Sequence, residues 1–427
     1  MQIKKPMITS RQFIILAFIG GIVIKGLMLP SVMLRVSGRD GLFVMAIYFV
    51  LEIINIGLFC KLISDYPDKT FFTMLEDCFG KAGGKIILML LLTAALVKFT
   101  LNLSEVKAFF AIGMFASMNW AVMIIPVLIL CFAISVKSLR VLGRAAEIFF
   151  PFIAVSIVLL MLILFREVPL ENVLPLLEEG ASPIKEGLIK LPMWFGDVIV
   201  LAVALGNVKN TKRLVLKGVV ARTISSLLIM AFSVALFSSY GNIIPLVKYG
   251  HNITTLTQYN LGSQEFGRFD LIIYSVWMSG VFIKMAMNCY LAVRCAARII
   301  NVVNYKYISA VLAAAAYILS IFAVPAITDV YELSTALWAR IIFSAVEFLL
   351  PVVLFAAAKR ILTAKKRRKK ARILRAKKPR GSGNEDEKRK KDGKKRFAPA
   401  YSRDSAYRFG DSDDDVPRRR RRRRHNR

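Results

Sequence analysis

The chain has 427 residues, 56% of them hydrophobic, and a formal net charge of +32. A mean hydropathy of +0.56 excludes a soluble domain of this size. The charge is uneven: residues 360–427 hold 29 Lys and Arg against 9 Asp and Glu, a net +20, which leaves 31 against 19, or +12, for the rest.

A membrane-spanning helix needs roughly twenty apolar residues. Ten runs are read on that criterion: 13–36, 42–64, 86–115, 120–136, 146–165, 187–206, 214–240, 271–300, 308–328 and 334–358, the fourth being short. The first run is too long for a cleavable signal and has no small-residue cleavage site, so it reads as a retained helix. Gly20-Gly21, Lys25-Gly26 and Pro30 interrupt it. Non-helical backbone at bilayer depth is tolerated only where protein or water covers it, and transporters use such breaks as binding sites. The expectation is a broken first span, with the amides of Gly20, Gly21 and Gly26 facing a small guest and Lys25 beside them. Lys25 would meet a carboxylate of the guest, titrate, snorkel to an interface, or pair structurally. Small-residue packing between helices is the rival account of the glycines.

The ten runs divide into two sets of five. Run 6, which matches run 1, carries Pro192, Trp194, Phe195, Gly196 and Asp197, and a second break is expected there. Asp197 would bind an amine or a proton, or pair with Lys25. Runs 3 and 8 are the longest and share a pattern: Lys98 and Asn102 in one, Lys284 and Asn288 in the other, each pair four apart and hence on one helix face. Glu105 lies seven after Lys98 on the same stripe, so the two are expected to pair; Glu52 and Glu347 are weaker site candidates. Trp277 and Tyr274, with Trp194 and Phe195, line a pocket or pack a core.

Five scattered cysteines form no CxxC pair and read as thiols in an apolar core. No phosphate loop, nucleophile elbow or metal cluster is present, and both histidines, His251 and His425, lie outside the runs. No catalytic residue, metal or cofactor is expected, and the chain does not read as an enzyme. With a cytoplasmic amino terminus, 17 basic residues near span ends fall inside against 7 outside, before the tail is counted. Both termini are therefore expected in the cytoplasm.

From about Lys365 the sequence becomes polar, ending in seven arginines, Arg418 to Arg424. The expected division is a permease-like domain over 1–361 and a basic, disordered tail over 362–427. Attraction to anionic lipid headgroups is the simpler account of the tail. Nucleic acid or an acidic partner is the sharper one, phosphate being bound in a salt-sensitive mode, although few aromatics interleave the arginines to read bases.

Several stretches carry a resemblance. Ile8-Thr9-Ser10-Arg11-Gln12 leads into run 1, and Leu29-Pro30 follows its interruption. Gly38-Arg39-Asp40-Gly41 precedes run 2. Tyr66-Pro67 is followed by Gly80-Lys81 and Gly84-Lys85, and Glu147-Ile148-Phe149-Phe150-Pro151 opens run 5. Gly267-Arg268-Phe269-Asp270 is followed by Trp277, Phe282, Lys284 and Tyr290. In this order they resemble the spore germination permease family, the B subunits of germinant receptors, within the amino acid–polyamine–organocation superfamily. The resemblance spans roughly residues 8–360. It implies an all-α integral membrane fold of about ten helices in a five-plus-five inverted repeat of the LeuT type, with helices 1 and 6 broken. It also implies a small-molecule germinant between runs 1, 3, 6, 8 and 10. The partners would be a membrane-bound A subunit and a lipoprotein C subunit, in the inner membrane of a bacterial spore. Lys25 inside the interruption departs from the family pattern, as does Ser117-Met118-Asn119-Trp120 where a Thr-Pro is expected. A proton-coupled amino acid transporter, and a scaffold that recruits partners through its basic tail, are the alternatives.

Overall fold

The structure, a computed structural model, describes residues 8–113, 119–166, 168–178, 180–209, 211–240, 253, 256–257, 269–322, 327–361 and 363. The basic tail, Ser117-Met118, Gly267-Arg268 and both histidines lie outside these residues.

Among the described residues, seven helical segments are long and apolar enough to cross a membrane, the first of which, Ser10–Asp65, holds two helices. Helix α1 (Ser10–Ser37) opens with Thr9, whose hydroxyl accepts from the Gln12 amide while Gln12 returns a bond to the Thr9 amide. A short 3-10 turn leads to α2 (Gly41–Asp65). Helix α3 (Phe71–Gly113) bends at Gly80, whose φ of +75° separates an amphipathic opening from the span itself. Helices α4 (Trp120–Val136) and α5 (Leu139–Leu164) complete the first half.

The second half starts with α6 (Ser182–Lys190) and two 3-10 segments, Pro192–Trp194 and Asp197–Ala204. It continues through α7 (Leu214–Tyr240), α8 (Phe269–Ile300), α9 (Tyr305–Phe322) and α10 (Ile327–Thr335). It ends on α11 (Leu337–Phe343), which passes into a π-helical turn over Ser344–Leu349 and stays helical to Ile361. Helices in matching places of the two halves pack together: α2 on α7, α3 on α8, α4 on α9. Two short strands, Ile8–Thr9 and Val208–Lys209, pair in parallel and tie the start of α1 to the end of the sixth span.

Helix α8 is the most buried of the long spans, while α5 turns Phe152, Val155 and Leu162 outward. Such apolar exposure suits a lipid-facing surface.

The expected break in the first span is not there: α1 is wound from Ser10 to Ser37, through the glycines and Pro30. Its glycines serve close packing instead. A Cβ at Gly26 would come within 3.2 Å of the Trp277 ring and 3.3 Å of Phe232, and one at Gly21 would collide with the Arg222 guanidinium. Keeping the helix wound also keeps its amides bonded, the default where water is absent. The second expected break is present. Gly196 adopts φ +83° between the two 3-10 segments, so no α-helix crosses there.

Two further glycines bring helices together. A Cβ at Gly280 of α8 would lie 2.7 Å from Val23 of α1, and one at Gly218 of α7 would lie 2.6 Å from Cys60 of α2. Gly280→Leu and Gly218→Leu are each expected to lower stability by roughly 1–3 kcal/mol through overpacking. Thermal unfolding in detergent measures this, and unchanged melting would contradict the packing described.

Candidate functional site

Seven ionisable side chains from seven elements meet where α1, α2, α3, α7, α8 and α11 close around the broken sixth span. They are Lys25, Glu52, Lys98, Asp197, Arg222, Lys284 and Glu347, none with more than 9% of its side chain exposed. Asp197, the first residue after the Gly196 break, is the hub. Its Oδ1 lies 3.0 Å from the Lys98 ammonium; its Oδ2 lies 3.0 Å from Lys25 and 3.1 Å from Lys284. Lys25 also pairs with Glu52, whose other oxygen lies 2.5 Å from the Arg222 guanidinium. Lys98 reaches Glu347 Oε1 at 2.5 Å.

The break itself is sealed by this network. Glu52 Oε1 accepts from the Gly196 amide at 2.6 Å, and the Lys98 ammonium donates to the Phe195 carbonyl at 3.0 Å. Two of the backbone groups at the break are thus taken up by side chains, not left for a guest. Glycine at 196 is needed twice over: for its left-handed conformation and because a Cβ there would run into the Glu347 carboxylate. The π turn that carries Glu347 is held in turn, since the Asn55 amide donates to the Glu347 carbonyl at 3.0 Å.

Moving an ion out of water costs several kcal/mol, and only multiple close partners offset it. Glu52 and Asp197 have several such partners, and Glu347 has Lys98. The signs do not balance, however: among the described residues the network has four cations (Lys25, Lys98, Arg222, Lys284) and three carboxylates (Glu52, Asp197, Glu347), a formal net of +1.

The residues singled out from sequence converge on this region. Lys25, Lys98, Asp197 and Lys284 are members of the network, and Phe195 and Gly196 form its backbone wall. The Phe195 ring stacks on Tyr48 at 4.2 Å between centroids, with the Lys25 ammonium 5.3 Å from its own. Trp277 is fully buried, lies on Gly26 and donates its indole N–H to the Val23 carbonyl at 2.8 Å. Trp194 is buried, with its indole N–H unpartnered. Gly20 rests on Met287 and Gly21 receives Arg222. Asn102 and Asn288, one turn beyond Lys98 and Lys284, are buried with their amide nitrogens unpartnered. Lys98 is paired with Asp197 and Glu347; the side chain of Glu105, its expected partner, lies outside the described residues. Sequence reasoning underrated Glu52 and Glu347 and passed over Arg222. The signal was there, since an arginine eight residues into an apolar run is itself a functional candidate.

The family profile described as spore germination protein matches residues 7–326. This chain belongs to the spore germination protein family. Among curated relatives, spore germination protein KB of Bacillus subtilis (strain 168) is 26% identical over 161 residues, which is 37% of this chain and 43% of that protein. The match thus spans less than half of that relative. Among solved structures, MhsT in complex with L-phenylalanine superposes with a TM-score of 0.59 at 13% identity, covering 83% of this chain and 99% of that one. A Na+-coupled sialic acid symporter in a substrate-bound outward-open state gives 0.56 at 13% identity, covering 81% and 79%. At such identities these likenesses establish the fold, an all-α multi-pass membrane protein of the LeuT type, in which this germination protein keeps the sixth span broken and the first intact.

Because cations outnumber carboxylates, removing one of each sign should have unequal effects. Asp197→Asn leaves three ammonium groups short of a partner and is expected to destabilise by about 3–5 kcal/mol. Lys284→Met removes the surplus charge and should cost clearly less. Thermal melts of both purified variants decide this; equal losses would contradict the charge count.

Proposed function

We propose that this chain is the germinant-sensing membrane subunit of a spore germinant receptor. It would bind a small, amino acid-like molecule at the buried charge network and signal to partner subunits, an A-type membrane subunit and a lipoprotein C subunit. Family membership and the relative from Bacillus subtilis support the setting. The observation that carries the reading is the network itself, seven charges from seven elements locked around one left-handed glycine. A ligand bearing charge can enter only by exchanging with an internal ion pair, and that exchange must move the elements that hold it. Binding shifts such an equilibrium only through differential affinity for the two arrangements. The 3-10 turns over Asp197–Ala204 are unusually long for that geometry, which suits a segment that rewinds.

In this reading the protein lies in the spore inner membrane with both termini cytoplasmic, as the distribution of Lys and Arg near span ends supports. The carboxyl-terminal end of α1 then faces outward. The basic residues of 362–427 would, on the same reading, be attracted to anionic lipid headgroups.

Spores carrying Lys25→Ala or Gly21→Leu are the test. Gly21→Leu displaces Arg222 from Glu52, and Lys25→Ala removes the cation that links Glu52 to Asp197. Both are expected to shift the germinant dose response at least tenfold while the protein still reaches the membrane. Vesicles holding the wild-type chain should bind labelled solute without concentrating it. Wild-type dose dependence in both variants would discard the site, and accumulation of solute would favour transport over sensing.

A further inference from the structure

The charge network and the space beside it carry one step more, which rests on the proposed ligand site. We infer that the ligand is recognised as a small aliphatic carboxylate, and that an amino group on it is not read. The first reason is the charge count. Four cations face three carboxylates among the described residues, and the carboxylate oxygens are taken: Glu52 Oε1 by Lys25 and the Gly196 amide, Glu52 Oε2 by Arg222, Asp197 Oδ1 by Lys98, Asp197 Oδ2 by Lys25 and Lys284, Glu347 Oε1 by Lys98. Glu347 Oε2 alone has no cation beside it among the described residues, and it faces the Gly196 backbone, where a Cβ would collide with it. Apart from that one buried oxygen, an incoming ammonium would have to displace a cation already in place, and the Lys25 ammonium already fills that role.

The second reason is the balance of hydrogen bonds. The Asn102 amide nitrogen, on the wall of the neighbouring cavity, is a buried donor without an acceptor. A buried donor left unsatisfied costs about 1–3 kcal/mol, and an anion satisfies it where an amine cannot.

The third is the shape of the neighbouring space. A cavity of about 20 Å³ lies one turn from the network, walled by Ile24, Met28, Val106, Met278 and Val281, with Asn102 as its polar group. Ile24, Asn102 and Val281 stand one, four and three residues from Lys25, Lys98 and Lys284, so the inferred ligand would keep its apolar body on these walls and its carboxylate on the side of the ammonium groups. At this size it holds a water molecule only, so the bound state must widen it. The unbranched side chains of Met28 and Met278 can swing to do so.

The test uses the purified full-length protein and three molecules with one aliphatic body: leucine, 4-methylpentanoate (leucine without its amine) and 3-methylbutylamine (leucine without its carboxylate). Each is titrated at neutral pH while the melting temperature is followed. The expected result is stabilisation by 4-methylpentanoate at least equal to that by leucine, and none by the amine. Asn102→Leu, which leaves the ion pairs in place, should weaken 4-methylpentanoate about tenfold without lowering the ligand-free melting temperature. Stabilisation by the amine, or by leucine but not 4-methylpentanoate, overturns the inference and leaves the ligand site standing. If none of the three moves the melting curve, the aliphatic carboxylate is rejected, while the spore dose response still decides the sensing role on its own.

Discussion

Charges cut off from water must be neutralised by one another, and in this protein seven are cut off together at one crossing. Each comes from a different element, so the pairing of Asp197 with Lys25, Lys98 and Lys284 is at the same time the joint between α1, α3, α8 and the broken sixth span. The packing follows from it. Gly21 makes room for Arg222 and Gly196 for Glu347, and Asn55 secures the π turn that delivers Glu347. The cost of burying these ions is offset only while all the partners are in place. Packed interfaces tend to switch between discrete arrangements and not to deform continuously, which suits the sensing role proposed above.

Much of the fold was legible in the sequence because apolar length is a direct consequence of bilayer thickness. The runs at 120–136 and 214–240 coincide with α4 and α7. The shared pattern of Lys98 with Asn102 and Lys284 with Asn288 marked two helices that reach the two oxygens of a single carboxylate. The glycines of the first span were misread. Glycine both loosens a helix and lets a neighbour approach, and the sequence does not distinguish the two. Which applies depends on Arg222, about two hundred residues away, and on Trp277. The short parallel pairing of Ile8–Thr9 with Val208–Lys209 was equally hidden, because two residues carry no periodic signal.

The likeness to MhsT and to a sialic acid symporter lies in the fold alone, and the chemistry at the crossing is this chain's own. Four basic side chains stand around the break, and one of them, Lys98, caps the Phe195 carbonyl. Where a guest was expected to meet bare backbone, the chain has supplied its own counter-ions. Under the proposed function, recognition is a competition between a ligand's charge and an internal one, which would couple binding to movement without a separate relay.

The most direct test is an experimental structure of the ligand-free protein in a lipid nanodisc, at a resolution that places side chains. The account requires the Lys98 and Lys284 ammonium groups both within about 3.5 Å of the Asp197 carboxylate, and α1 wound without interruption past Gly21. An Asp197 carboxylate facing a water-filled cavity, with the lysines apart from it, would contradict it.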